Sequence, residues 1–126
     1  VDRNFADGYL NKSYLLQISG KFEEALSIYE EGLTHNPYDV TLLHGKGAAL
    51  SNLGRIEEAV SYYDKVLEID PRHLSSYLYK GRSLMEFNKI PEAIACYDRA
   101  IEFIPENDEL YHSKGQALLV SQQFKE

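Results

Sequence analysis

The side chains in this sequence that could do chemistry are four histidines, one cysteine and two pairs of neighbouring glutamates. His44 and His112 fall on the same face of their predicted helices, but they are 112 − 44 = 68 residues apart. At that separation they are too distant to hold one metal ion in a tetrahedral site. The glutamates at 23–24 and 57–58 stand at predicted helix starts, where they favour the helix dipole and face water. Catalytic carboxylates would have to converge in a pocket, so the sequence predicts neither a metal site nor an acid–base pair.

The single cysteine, Cys96, has no histidine near it in the sequence. Equivalent positions elsewhere in the chain hold Ile28 and Tyr62, which predicts a half-buried packing role instead of a reactive thiolate. One cysteine also excludes an internal disulfide and is compatible with a reducing compartment. We therefore expect no catalytic residue, no cofactor and a cytoplasmic location.

The charge and hydropathy of the chain restrict its partners. The formal net charge is 13 − 20 = −7, which repels phosphate backbones and anionic membranes unless a basic patch exists. Apolar residues make up 44% of the chain, enough for a folded core. No apolar run approaches the roughly 18 residues that a membrane-spanning helix needs. We therefore expect neither a nucleic acid nor a membrane partner.

The elements that position these side chains repeat every 34 residues. The spacings between successive prolines are 71 − 37 = 34 and 105 − 71 = 34, and a period of roughly 20–50 residues is typical of a solenoid array. Shifting residues 40–73 by one period places them on 74–107 or on 6–39. Residues 108–126 begin a further, partial copy. The sequence predicts a single domain made of these repeats.

Each repeat contains two helical patterns separated by a turn. In the central copy the apolar spacing predicts helices over about 40–53 and 56–69. Gly54 separates them, and glycine adopts the left-handed conformation after a helix at little cost. Gly20 stands one period earlier and Asn88 one period later. Small residues also recur inside the helices, which predicts close helix crossings: Gly47, Gly81 and Gly115 in the first helices, Ala25, Ala59 and Ala93 in the second.

This pattern of small residue, aromatic, alanine, tyrosine and proline resembles the tetratricopeptide repeat. The matching residues of the central copy are Leu43, Lys46, Gly47, Leu50, Ala59, Tyr63, Val66 and Pro71. The departures are Ser13, Gly32 and the lysines that stand where the family often has leucine. The resemblance covers essentially the whole chain. It implies an all-α, right-handed α-solenoid of antiparallel helix pairs, here with seven helices, and a non-catalytic protein-interaction module.

Six of the ten tyrosines occupy two repeat positions and are predicted to be core residues. They are Tyr9, Tyr77 and Tyr111 in first helices, and Tyr29, Tyr63 and Tyr97 in second helices. Tyr14 and Tyr79 fall instead on the face of the first helices that points away from their partner helices. In a superhelix this face would line the concave surface.

We predict a peptide-binding groove on this concave face, with small residues in its middle and larger apolar residues flanking them. The last helix adds Glu109, Ser113 and Gln116 to the same face. The residues selected as the groove are Leu10, Tyr14, His44, Ala48, Leu78, Tyr79, Arg82 and Met85.

Many tetratricopeptide domains hold the acidic C-terminal peptide of heat-shock chaperones with lysine, asparagine and arginine side chains. In one register those positions are here Leu10, Tyr14, Gly45, Ser75 and Tyr79. One repeat further on they are His44, Ala48, Tyr79, Glu109 and Ser113. Neither set supplies a pair of cations to meet a carboxylate, so we expect this chain not to bind that peptide.

Both ends of the chain suggest a longer array. Residues 1–5 read like the tail of a preceding repeat, and residues 121–126 read like the start of a second helix after 108–121. The second helix would normally cover Tyr111, Leu118 and perhaps Phe124. We therefore expect an exposed apolar patch there, which would favour self-association.

Two other functions stay open at this point. An RNA-associated helical-repeat protein would share the architecture, but its groove would be basic, whereas here only Arg82 is cationic on that face. A repeat segment of a larger enzyme would carry its catalytic residues in sequence outside this chain.

Overall fold

The computed structural model describes residue 12 and residues 15–125, apart from the side chains of Phe124 and Lys125. The described residues form two compact units, the first ending at Asp70 and the second beginning at Pro71. Within the described part all regular structure is helical. The grouping of the whole chain into one domain stays a prediction.

Seven helical segments follow one another along the described chain. They are α1 (15–18), α2 (Phe22–His35), α3 (Val40–Asn52), α4 (Ile56–Ile69), α5 (Leu74–Glu86), α6 (Ile90–Phe103) and α7 (Asp108–Lys125). In the first unit α3 packs on α2 and on α4, and in the second unit α6 packs on α5 and on α7. The predicted helices of the central copy, 40–53 and 56–69, are therefore confirmed to within one residue.

The turns inside the hairpins form because one residue in each takes a left-handed conformation. Its φ angle is +78° at Gly20, +81° at Gly54 and +61° at Asn88. In the central turn the Gly54 N–H donates to Ser51 O at 3.0 Å, and the Arg55 N–H donates to Leu50 O at 2.9 Å. This pair of bonds is a Schellman motif, which satisfies carbonyl groups at the end of α3. The prediction from the glycine and asparagine positions is confirmed.

The first helix of each later pair starts at a side-chain cap that also recurs every 34 residues. Asp39 Oδ1 accepts from the Leu42 N–H at 3.0 Å, and Asn107 Oδ1 accepts from the Leu110 N–H at 3.2 Å. His73 does the same through Nδ1, which accepts from the Ser76 N–H at 3.3 Å. These caps satisfy N–H groups that the first helical turn leaves without a partner.

Tyrosine rings from the second helices fill the spaces left by glycines in the first. Tyr63 of α4 lies against Gly47 of α3, so that a β-carbon added there would stand 2.9 Å from the ring carbon Cε1. Tyr97 of α6 lies against Gly81 of α5, and a β-carbon there would overlap its ring. The predicted close crossings are thus present, and Ala25, Ala59 and Ala93 are fully buried at equivalent positions.

The prediction of core tyrosines holds for four of the six. Tyr29, Tyr63, Tyr77 and Tyr97 are buried, whereas Tyr9 lies outside the described residues. The prediction is wrong for Tyr111, which is 49% exposed. The reason is that none of the described helices packs against this side of α7.

The prediction of a new helix within residues 121–126 is also wrong. Helix α7 continues without a break from Asp108 to Lys125, a length of 18 residues. The turn position of the earlier hairpins maps to 88 + 34 = 122, and this residue is glutamine. Glutamine has a β-carbon and disfavours the left-handed conformation that ends the other first helices, so the helix runs on.

Candidate functional site

Four of the predicted groove residues surround one cavity in the second unit. Leu78, Tyr79, Arg82 and Met85 of α5 line a cavity of about 340 Å³. Glu109, Ser113 and Gln116 of α7 form its other wall, and Tyr97 of α6 completes it. The structure therefore brings together α5 and α7 residues that the repeat pattern placed on a common face.

The spacing of the α5 residues explains how one helix can present them together. Residues 78, 82 and 85 are separated by four and then three positions, which places them on one side of an α-helix. Tyr79 stands beside them and is 39% exposed. The guanidinium carbon of Arg82 lies 4.8 Å from the centre of the Tyr79 ring, within the range of a cation–π interaction. This contact orients both side chains at the cavity opening.

Tyr97 connects the cavity to the core of the second unit. Its ring fills the space above Gly81, and its hydroxyl is hydrogen-bonded to Ser113. Burial is the largest cause that raises the pKa of Tyr97 above its usual value of 10.0. The side chain is consequently neutral across the physiological range, and it presents a polar atom without a charge.

The charges at this cavity have both signs. Arg82 is the cation, and Glu109 of α7 is the anion on the opposite wall. Leu78 and Met85 are half-buried and supply apolar surface between them. Such an arrangement suits an apolar side chain from a partner, with polar groups at its edge that fix its orientation.

The remaining predicted groove residues lie elsewhere or outside the described part. His44 and Ala48 belong to α3 in the first unit, where both are half-buried. The His44 ring packs on Tyr63, with 5.4 Å between the ring centres. Leu10 and Tyr14 are not among the described residues, so their place in the groove stays a prediction.

Gly45, one of the positions considered for peptide binding, requires a correction. It is buried, and a β-carbon added to it would overlap the ring of Tyr29 from α2. The residue therefore belongs to the contact between α2 and α3. Reading the concave face by sequence offset alone included it wrongly, because the offsets do not reveal how far a tyrosine of the preceding helix reaches.

Sequence reasoning assigned Tyr97 only to the core and so missed its second contact, with the cavity. It also missed the apolar surface around Tyr38 in the first unit. A signal for Tyr38 was available: the equivalent positions one and two periods later hold Arg72 and Glu106. An aromatic residue that interrupts a repeat is more informative than one that follows it, since the repeat itself does not explain it.

The residue types that catalysis or metal binding would need are not gathered in the described part of the chain. No group of three histidine, cysteine, aspartate or glutamate side chains lies close enough there to hold a metal ion. Cys96 is buried, more fully than predicted, and its thiol lies 3.5 Å from Tyr77 O. None of the described helices has the length and apolar character needed to cross a membrane.

Family models for the tetratricopeptide repeat match residues 6–39 and 40–73 of the chain, and a further model for the same repeat matches residues 81–120. A search of curated proteins found no significant match.

Solved structures with the same fold cover nearly all of the chain. MamA 41-end from Desulfovibrio magneticus RS-1 is 30% identical, with a TM-score of 0.78 over 97% of this chain and 69% of its own. The first TPR of Spaghetti (RPAP3), solved with the HSP90 peptide SRMEEVD, is 24% identical, with a TM-score of 0.81 over 100% of both chains. The Sgt2 TPR domain from Aspergillus fumigatus is 16% identical, with a TM-score of 0.83 over 99% of this chain and 87% of its own. The fold is therefore the all-α solenoid of tetratricopeptide repeats.

Proposed function

Because the chain belongs to the tetratricopeptide repeat family, a family of protein-interaction modules, we propose that it is a non-catalytic module that binds a peptide or helix of a partner protein. The proposed binding surface is the cavity between α5 and α7, extended by the other predicted groove residues. A cytoplasmic location is part of the proposal and agrees with the single cysteine, which is held as a thiol.

The observation that carries the proposal is the exposed pair of Tyr79 and Arg82 at the mouth of an apolar cavity. Tyrosine and arginine are the side chains most often found as energetic anchors of protein interfaces. Here their contact at 4.8 Å already holds them in place, so that less side-chain entropy is lost when a partner binds. Leu78 and Met85 offer apolar contacts next to them.

The cavity also indicates the kind of segment that would fit. A volume of about 340 Å³ is near the lower end for ligand pockets, roughly 300–1,000 Å³. It has room for one or two apolar side chains of a peptide or helix. A carboxylate on the same segment would find Arg82, and a basic group would find Glu109.

We do not extend to this chain the binding of acidic chaperone peptides that two of the structural neighbours display. Glu109 lies in the cavity, at a position where one register of the carboxylate clamp would need a cation. The charge there repels a peptide that ends in several carboxylates. Titration calorimetry with the peptide SRMEEVD should give no saturable binding, and a micromolar dissociation constant would contradict this part of the proposal.

The main test is a comparison of two exposed tyrosines. Partners captured from a native lysate by the wild-type chain should be lost with Tyr79→Ala and retained with Tyr38→Ala, because only Tyr79 lies at this cavity. For a partner identified in this way, the loss measured by titration should exceed about 1 kcal/mol. The melting midpoints of both variants should match the wild type.

Three outcomes would overturn the proposal. Equal capture by the wild type and by Tyr79→Ala would place the binding surface elsewhere. Unfolding of Tyr79→Ala would make Tyr79 a structural residue. Capture of RNA instead of protein, abolished by high salt, would favour the RNA-associated alternative.

A further inference from the structure

The first unit contains a second and larger cavity that shares no residue with the predicted groove. It has a volume of about 680 Å³ and lies between α2, α3 and α4. Leu33 of α2, Leu43 of α3 and Tyr62 of α4 give it an apolar floor. In α3 the cavity is reached by Leu43 and Lys46, whereas the groove prediction used His44 and Ala48 of the same helix.

Two large apolar side chains stand at the border of this cavity in contact with solvent. Tyr38 is 80% exposed, and Ile69 at the end of α4 is about half exposed. Burial in the described structure therefore does not account for an apolar side chain at either position. Exposed aromatic side chains beside an apolar cavity are characteristic of surfaces that bind another molecule.

Basic groups are concentrated at one end of the cavity. The ammonium groups of Lys46 and Lys65 lie 4.4 Å and 4.3 Å from the centre of the Tyr62 ring. Lys46 also forms an ion pair with Glu30 at 3.6 Å. Lys65 is exposed and forms no ion pair with any carboxylate of the described residues. On a chain with a net charge of −7, this end of the cavity is a local site of positive charge.

We propose that this cavity is a second docking site, and that its occupant is a peptide segment of a partner protein that carries an aromatic or branched aliphatic side chain next to a carboxylate. The apolar side chain enters between Tyr38, Leu33 and Ile69. The carboxylate meets the ammonium group of Lys65. Its charge is the complement of the one cation at the cavity that no described carboxylate neutralises.

The charges at the opposite end of the cavity support this orientation. Glu68 lies in the last turn of α4, where the carbonyl groups of a helix end add partial negative charge. A carboxylate would be repelled there and attracted to the Lys65 end. The occupant is therefore expected to bind in one direction, with its acidic group near Tyr62 and its apolar side chain towards Tyr38.

The site is tested with three short peptides that differ only in charge. The probes are acetyl-Asp-Leu-Phe-Asp-amide, the same peptide with both aspartates changed to asparagine, and the same peptide with both changed to lysine. Each is titrated into the isotopically labelled full chain and followed by backbone amide chemical shifts. The acidic peptide should shift amides of residues 30–69, with an affinity up to about fivefold above the asparagine peptide, as for an exposed ion pair.

Substitutions at the two ends of the cavity separate the two parts of the proposal. Lys65→Glu should reverse the order of the acidic and lysine peptides, and Lys65→Gln should make the acidic and asparagine peptides equal. Tyr38→Ala should weaken all three peptides, because it removes apolar contact. Lys21→Glu is the matched control: it alters the net charge by the same amount at an exposed lysine outside the cavity, and it should leave the order unchanged.

The proposal is overturned if the acidic and asparagine peptides bind equally to the wild type, or if the shifted amides lie outside residues 30–69. A reversal of the order by Lys21→Glu as well as by Lys65→Glu would also overturn it, because the preference would then follow net charge alone. Circular dichroism melts of each variant confirm that the fold is retained, since all the altered side chains are exposed.

Discussion

Helices α5 and α7 carry the same repeat positions in the same unit, yet their apolar side chains have different surroundings. Tyr77 of α5 is 1% exposed, whereas Tyr111 of α7 is 49% exposed. Leu84 is buried and its counterpart Leu118 is exposed. The difference lies in the neighbours of each helix. Helix α5 is covered by α6, while no described helix takes the corresponding place on α7.

The glycines of the two helices show the same difference. A β-carbon at Gly81 would overlap the ring of Tyr97, but one at Gly115 would meet no atom within 4 Å. The comparison teaches that the repeat pattern specifies which surface is apolar and where a tyrosine would fit. Whether that surface is core depends on a second helix being present.

The comparison is tested most strongly by removing the paired tyrosines. Tyr77→Ala should cost about 3–5 kcal/mol of unfolding free energy, the usual range for a buried aromatic side chain. Tyr111→Ala should cost less than about half as much, although both hydroxyls donate to a proline carbonyl, at 2.8 Å and 2.9 Å. Urea denaturation of both variants measures the difference. Equal losses would mean that Tyr111 is covered in solution.

Alanine at the two glycines should give effects of opposite sign. Gly81→Ala should destabilise the chain by about 1–3 kcal/mol, because the ring of Tyr97 has to move. Gly115→Ala should stabilise it by up to about 1 kcal/mol, since alanine favours the helix and finds open space. Thermal and urea melts would detect both changes. A loss of stability in Gly115→Ala would indicate that another surface packs against α7.

Self-association through the exposed face of α7 stays a prediction, and charge should abolish it. The double substitution Leu118→Lys and Leu119→Lys removes two exposed apolar side chains, each worth about 1.5–3 kcal/mol when fully buried. Sedimentation over a concentration series should show at least about a tenfold weaker association than in the wild type. Leu15→Lys with Ile18→Lys is the matched control, since these residues are equally exposed on α1. A wild-type chain that is monomeric at every concentration would contradict the prediction.

The smallest expected effect concerns an ion pair that joins two loops of the second unit. Arg72 donates to Glu106 at 2.6 Å and to Phe103 O at 2.7 Å. The hydrogen bond from Arg72 is the main cause that lowers the pKa of Glu106 below its ordinary value of 4.5. A lowered folded-state pKa means that the stabilisation is present above pH 4.5 and is lost as the pH falls through the folded value.

Glu106→Gln removes the titrating group and should remove this part of the acid sensitivity. Melting midpoints of the wild type and the variant should therefore differ at neutral pH and converge in acid. Both side chains are exposed, so the difference should be small and should shrink in high salt. A difference that persists unchanged in acid would show that protonation of Glu106 is not its cause.

Much of the fold was predictable because local rules recur at a fixed spacing. Gly20, Gly54 and Asn88 announce the left-handed turns, and the prolines announce the helix ends. The length of α7 follows from the same rule applied to Gln122, where the turn residue is missing. It was misjudged because the apolar spacing continues past the point where the turn signal stops.

The candidate site was predictable only in part. Leu78, Tyr79, Arg82 and Met85 share one face of one helix, so the helical period alone groups them. The cavity bordered by Tyr38 combines a loop with three helices, and no single period connects those residues. The position of a side chain such as Tyr97, which reaches both core and cavity, depends on packing that a sequence pattern does not contain.

The packing of helices on their sequence neighbours also has a consequence for the rate of folding. The contacts join α2 to α3, α3 to α4, α5 to α6 and α6 to α7, and the longest of them joins α5 to α7. Contacts between segments so close in sequence require only short loops to close, and their entropic cost is small. Helical proteins with such local contacts fold in roughly microseconds to milliseconds. In a chain of this kind folding can begin at any hairpin and spread to the next, so no single pair of helices has to form first.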